Sequence, residues 1–234
     1  YTLSLHDALP ICRMTAGVDH YLKNCGIKCL VSAFNGAEIV DLKDGKVLYK
    51  NAINNQTCVK VFELIESLKV DALGYFGDKI IVRKGTKYKD FYCKKSGVDA
   101  IEVESLSKYY KDNGLDSCKI HVLDDKEVID NAFEPLKSTF KDLEVVRSED
   151  IRIDITLKGV SKGEACKFIS NYYGVDIGDI IAVGDARNDI SMLKTVGFPI
   201  VVENAYEDVK GFGKIIAPSN NDDAIKYIID NYCI

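Results

Sequence analysis

Two carboxylates and an amide stand close together in Gly184-Asp185-Ala186-Arg187-Asn188-Asp189, directly after the apolar run Ile180–Val183. An apolar run ending in Gly-Asp places Asp185 at the carboxyl edge of a strand. Asn188 and Asp189 then open the next helix, whose free N–H groups and dipole favour an anion. Asp185 and Asp189, four residues apart on a loop that doubles back, can approach one hard cation. Mg²⁺ prefers such oxygen ligands and keeps water and substrate phosphate in its other positions. The same string also fits a Gly-Asp turn followed by an Asn/Asp helix cap, common in any α/β protein. By themselves these residues leave both readings open.

A second string lies one strand–helix step earlier, Lys158-Gly159-Val160-Ser161-Lys162-Gly163-Glu164. Ser161 and Glu164 fit a capping box, which predicts a helix starting at Ser161. Lys162 then falls in the first turn, where a cation opposes the macrodipole by a few tenths of a kcal/mol or more. A solvated surface lysine would account for an isolated case. Next to the acidic loop, the disfavoured position instead suits a lysine that neutralises phosphate and a carboxylate nucleophile at one sheet edge.

The elements that must position these residues read as strands alternating with helices. Ile151–Leu157 is predicted as a strand, Ser161–Tyr173 as a helix and Asp179–Val183 as a strand. A helix over Asp189–Val196 and a strand over Phe198–Val202 complete the series. Short connections between such elements indicate a doubly wound parallel sheet, whose ligands sit at the carboxyl ends of the strands. Upstream, Met14–Asn24 reads as a helix capped by Gly26. Lys28–Phe34 reads as a strand leading into Asn35-Gly36, and Lys43-Asp44-Gly45 as the turn before the strand Lys46–Lys50. The middle of the chain is strand-rich, with helices at 54–70 and 126–140, and carries no phosphate or metal motif. It suggests an α+β module inserted into the parallel core.

Composition narrows the classes. The 47% hydrophobic and 29% charged residues are ordinary for a globular protein. No apolar run reaches the roughly 18 residues of a membrane helix. With 31 Lys plus Arg against 36 Asp plus Glu, the net charge of −5 disfavours nucleic acid as a generic partner. The eight cysteines contain no C-x-x-C pair and the three histidines are dispersed, so no zinc site is indicated. Free thiols fit a reducing, cytoplasmic setting.

The ordered combination G-V-S-K-G (159–163) and G-D-x-x-N-D-x-x-M-L (184–193) resembles the Cof-type phosphatases of the haloacid dehalogenase superfamily. Ser32–Ile39 is similar to that family's N-G-A stretch, Asp44–Tyr49 to the hairpin after it, and Val202–Ala205 to a later segment. The resemblance runs from about Arg13 to the C-terminus. It implies a Rossmann-like core, residues 13–50 and 150–234, with a mobile α+β cap inserted at 51–149. It also implies Mg²⁺-dependent hydrolysis of a small phosphate ester through a phosphoaspartate. By motif match Lys162 is the phosphate-binding lysine, Asp185 the metal ligand, Asn188 a phosphate contact and Asp189 a supporting acid on the metal side. Asn35 would face the cleft between core and cap.

The departures are as specific. The family opens on D-x-D-G-T, whose first Asp is the nucleophile and whose second is the general acid, and no D-x-D occurs in these 234 residues. Where [ST]-G-R is expected the chain reads Ile11-Cys12-Arg13. Residues 1–12 are read as a non-native leader, so His6 and Asp7 are not assigned to catalysis. The chain as written is therefore expected to be an inactive fragment of a phosphatase. A phosphomutase on the same core and a non-catalytic phosphate- or metal-binding relative remain the alternatives. The oligomeric state and the particular ester are not legible.

Overall fold

The computed structural model describes residues 8–10, 14–22 and 28–233. Two compact units emerge. One contains residues 28–48 and 161–233 with the strand at 8–10; the other contains residues 14–22 and 49–160.

In the first unit, β1 (Ala8–Pro10), β2 (Leu30–Ala33), β3 (Glu38–Asp41) and β4 (Lys46–Lys50) form a sheet in that order. β1 runs parallel to β2, and β2 antiparallel to β3. β2 is buried throughout, as its apolar run requires. The turn after it is a single 3-10 turn, Phe34–Gly36, with φ of 51°, 60° and 105° at its three residues. A Cβ on Gly36 would lie 2.4 Å from the Ser161 carbonyl oxygen. Gly36→Ala is therefore expected to cost about 2–3 kcal/mol, from left-handed strain plus overpacking. Gly45→Ala, at φ 73° with nothing within 4 Å, should cost only about 1 kcal/mol. Urea denaturation of both variants checks the difference, and equal losses would mean that the contact with Ser161 is irrelevant.

The second unit holds α1 (Thr15–Leu22), α2 (Asn55–Ser67), β5 (Ala72–Phe76), β6 (Lys79–Arg83), α3 (Lys89–Ser96) and β7 (Ala100–Val103). α4 (Leu106–Asn113), β8 (Ile120–Leu123), α5 (Lys126–Thr139), β9 (Leu143–Glu149) and β10 (Arg152–Leu157) follow. Its sheet has the order β7-β6-β5-β8-β10-β9 and is antiparallel except between β6 and β7. Asn54 caps α2 by accepting from the Thr57 amide at 3.0 Å. Val61, Phe62 and Ile65 of α2, Tyr110 of α4 and Leu136 of α5 bury one face with Ile120, Val122, Ile153 and Ile155.

Two segments differ from the sequence reading. The strand at 151–157 was expected in the parallel core but pairs antiparallel with β8 and β9. The cause is the connection: Glu149 and Arg152 are too close in sequence for a parallel crossover, which takes a dozen residues or more. Ile153 and Ile155 then alternate into the apolar core of this sheet. The helix at 15–22 also groups with this unit, where a Cβ on Gly17 would lie 3.0 Å from the Ser96 carbonyl. The proposed cap of Gly26 lies outside the described residues.

Back in the first unit, α6 (Lys162–Tyr173), β11 (Ile181–Gly184), α7 (Ile190–Thr195), β12 (Phe198–Val202), α8 (Glu207–Lys210), β13 (Ile215–Ala217) and α9 (Ala224–Tyr232) complete the chain. β11, β12 and β13 are mutually parallel, in the Rossmann-like manner expected of an α/β core. α6 meets α7 at Gly163, where a Cβ would lie 2.6 Å from the Ser191 carbonyl oxygen. No helix among the described residues is long and apolar enough to cross a membrane.

Candidate active site

β11 ends at Gly184, where a Cβ would come within 2.7 Å of the Asp189 Cβ. Only glycine lets the chain double back this closely. Asp185 follows at the strand's carboxyl end, then a 3-10 turn over Arg187–Asp189, then α7.

Asp189 is 3% exposed. Its Oδ2 accepts from the backbone amides of Asp185 and Ala186, both at 3.0 Å. Its Oδ1 accepts from the Lys162 ammonium at 2.5 Å. Burial acts to raise the Asp189 pKa, but Lys162 and the two amides outweigh it and hold the carboxyl below its ordinary range. Three protein donors thus point at its two oxygens.

Lys162 is 7% exposed, which removes the solvated-surface explanation. Ser161 caps α6 by accepting from the Glu164 amide at 3.2 Å, as the capping box predicts. That places Lys162 at the first helical residue, against the dipole, where the Asp189 carboxylate offsets both the dipole and the burial.

Asp185 differs from its neighbour. Desolvation first, and the Asp189 charge second, raise its pKa above the ordinary carboxylate value. It has no ion-pair partner among the described residues. A groove of about 360 Å³ opens beside it, with Val183, Val202, Asn220, Asp223 and Lys226 among its lining residues.

Asn188 donates from Nδ2 to the Asn35 Oδ1 at 3.2 Å, tying the loop after β11 to the turn after β2. Asn35 is 9% exposed and left-handed at φ 60°, a conformation that asparagine tolerates better than most residues. All five residues singled out in the sequence, Asn35, Lys162, Asp185, Asn188 and Asp189, therefore lie together in one unit at the carboxyl ends of β2 and β11. His6, Asp7 and Ile11–Arg13 lie outside the described residues.

Sequence reasoning missed a second ring of contacts. Arg187 donates from Nε to Asp208 at 2.7 Å, and its guanidinium stands 4.9 Å from the centre of the Tyr206 ring. The Tyr206 amide in turn donates to the Asp185 carbonyl at 3.2 Å. Ser191 Oγ accepts from the Gly163 amide at 3.2 Å. These partners are about twenty or more residues apart in the chain, so no local period reveals them.

Residues 12–229 match the family model for haloacid dehalogenase-like hydrolases. A Streptococcus pyogenes protein provisionally named as a phosphatase is 25% identical over 87% of this chain and 76% of its own length. The 5-amino-6-(5-phospho-D-ribitylamino)uracil phosphatase YwtE of Bacillus subtilis is 32% identical over 45% of this chain and 37% of its own. A haloacid dehalogenase-like hydrolase structure from B. subtilis superposes with a TM-score of 0.85 at 20% identity, covering 96% of this chain and 87% of that one.

Proposed function

The chain belongs to the haloacid dehalogenase-like hydrolase family as a Cof-type phosphatase, and on that premise we propose that its site handles a phosphate monoester with the help of Mg²⁺. The observation that carries this reading is the split between two neighbouring carboxylates. Asp189 is held by Lys162 and two amides, whereas Asp185 is exposed and has no ion-pair partner among the described residues. A hard dication that keeps most of its positions for water and phosphate suits such a sparse set of oxygens. No group of three or more His, Cys, Asp or Glu side chains able to hold a metal gathers among the described residues. Asp185 is thus the protein ligand we assign, with Asp189 holding the loop behind it. The metal, when bound, neutralises phosphoryl charge.

Lys162 draws the phosphoryl oxygens toward the sheet edge while Asp189 fixes its ammonium. Asn188, oriented by Asn35, offers an amide to the same group. Residues 51–149 are the proposed cap domain, and the substrate class proposed is a sugar phosphate or phosphorylated cofactor. The phosphorylated ribityl compound named for YwtE belongs on the test panel.

We also propose that these 234 residues, lacking any D-x-D, bind but do not turn over. The decisive material is the same chain carrying a D-x-D-G-T strand and Thr-Gly in place of Ile11-Cys12. Hydrolysis by that protein should require Mg²⁺, stop on chelation, and fall to background in Asp185→Ala. Turnover that chelation leaves untouched would refute the metal assignment. A mutase would instead return isomerised phosphate esters without free phosphate.

A further inference from the structure

We infer that Arg187, together with Tyr206 and Asp208, is a latch that positions Asp185, a role resting on the metal reading above but readable without it. The geometry closes a ring. From Asp185 the chain runs through Ala186 to Arg187, whose Nε reaches Asp208 at 2.7 Å. Asp208 sits in the first turn of α8, two residues after Tyr206. Tyr206 returns to the start by donating its amide to the Asp185 carbonyl at 3.2 Å, with its ring 4.9 Å below the Arg187 guanidinium.

The loop is held from two sides. Asp189 grips the amides of Asp185 and Ala186, and the latch grips the Asp185 carbonyl and the outer face of the turn. Without the latch, the bonds to Asp189 alone close the turn, so it opens more often, and the Asp185 side chain loses its fixed direction each time it does. The latch is partly exposed, with 34% of the Arg187 side chain and 53% of the Asp208 side chain accessible. A surface ion pair with a cation–π contact changes a local opening equilibrium by roughly three- to tenfold, and does not decide whether the unit folds.

The sign of the effect separates positioning from plain charge. Arg187 is a cation near a proposed cation site, so by Coulomb's law its removal should tighten metal binding. A positioning role predicts the reverse. The experiment titrates Mn²⁺ into the full chain and follows free Mn²⁺ by electron paramagnetic resonance, with amide hydrogen exchange measured on the same samples without metal. Arg187→Ala should weaken Mn²⁺ binding about three- to tenfold. It should also speed exchange at the amides of Asp185, Ala186 and Tyr206 by a similar factor, with β12 amides unchanged. Arg187→Lys, which keeps a cation over the Tyr206 ring, should recover most of both. Tighter Mn²⁺ binding in Arg187→Ala, or unaltered exchange at those three amides, overturns the latch. Mn²⁺ binding that survives Asp185→Ala unchanged would overturn the metal assignment instead, and the exchange rates then decide the latch alone.

Discussion

Incubated with p-nitrophenyl phosphate and Mg²⁺, the 234-residue polypeptide is expected to release phosphate no faster than buffer. The same chain given a D-x-D-G-T strand and an intact Thr-Gly-Arg should turn over readily. Phosphoryl transfer needs a nucleophile, a proton donor and cations that offset the phosphoryl charge. On the reading proposed above, Lys162 and a metal held at Asp185 would supply the cationic side of that requirement, and no D-x-D pair exists here to supply the other. Loss of a nucleophile costs roughly 10⁴- to 10⁶-fold in turnover even when binding survives. Restoration should therefore raise the rate by several orders of magnitude, a change no assay could miss. A steady-state assay on both proteins, across sugar phosphates and phosphorylated cofactor precursors, decides the matter. Comparable rates in the two would mean that another residue of this chain is the nucleophile.

The local geometry at strand ends and helix starts was more legible than the pairing of the strands, for a physical reason. Lys162, Asp185, Asn188 and Asp189 sit at strand ends and helix starts, where Gly184, the Ser161 cap and the apolar run before Asp185 fix geometry over a few residues. Their convergence follows from the parallel topology of such sheets. β10 was misplaced because its own sequence, apolar at Ile153 and Ile155, fits either sheet. Only the brevity of the link from Glu149 to Arg152 decides for the antiparallel one. α3, β7 and α4 went unread for another reason. Residues 89–96, Lys-Asp-Phe-Tyr-Cys-Lys-Lys-Ser, carry almost no apolar period, and β7 is four residues long. Such elements form because neighbours cover them: the sheet holds β7 through its parallel pairing with β6, and α4 buries Leu106 and Tyr110 against the helices of that face. Likewise the Arg187 latch depends on residues from α8, which only the fold brings near.

Replacing Asp189 by Asn should destabilise the first unit by about 3–5 kcal/mol, the loss expected when a buried ion pair is broken from one side. Lys162 would then lie 7% exposed, at a helix start whose dipole repels it, with no anion to offset either cost. Lys162→Met should cost less, about 1–3 kcal/mol, because the Asp189 carboxylate would keep the amides of Asp185 and Ala186 as donors. The double variant Lys162→Met/Asp189→Asn should be no worse than Asp189→Asn alone. The cycle would then show a coupling of 1–3 kcal/mol, of the size found for residues in one buried network. Urea denaturation of the four proteins measures it, and additive losses would mean that the two side chains are held independently by their surroundings. A near-neutral double variant would carry a further meaning. An uncharged pair of similar volume would then hold the fold as well as the charged one does, so stability gives no reason to bury Lys162 against its own helix dipole. What the charged pair uniquely offers is an ammonium fixed at the carboxyl edge of β11, near the Asp185 carboxylate, and that is the arrangement the proposed phosphoryl site would use.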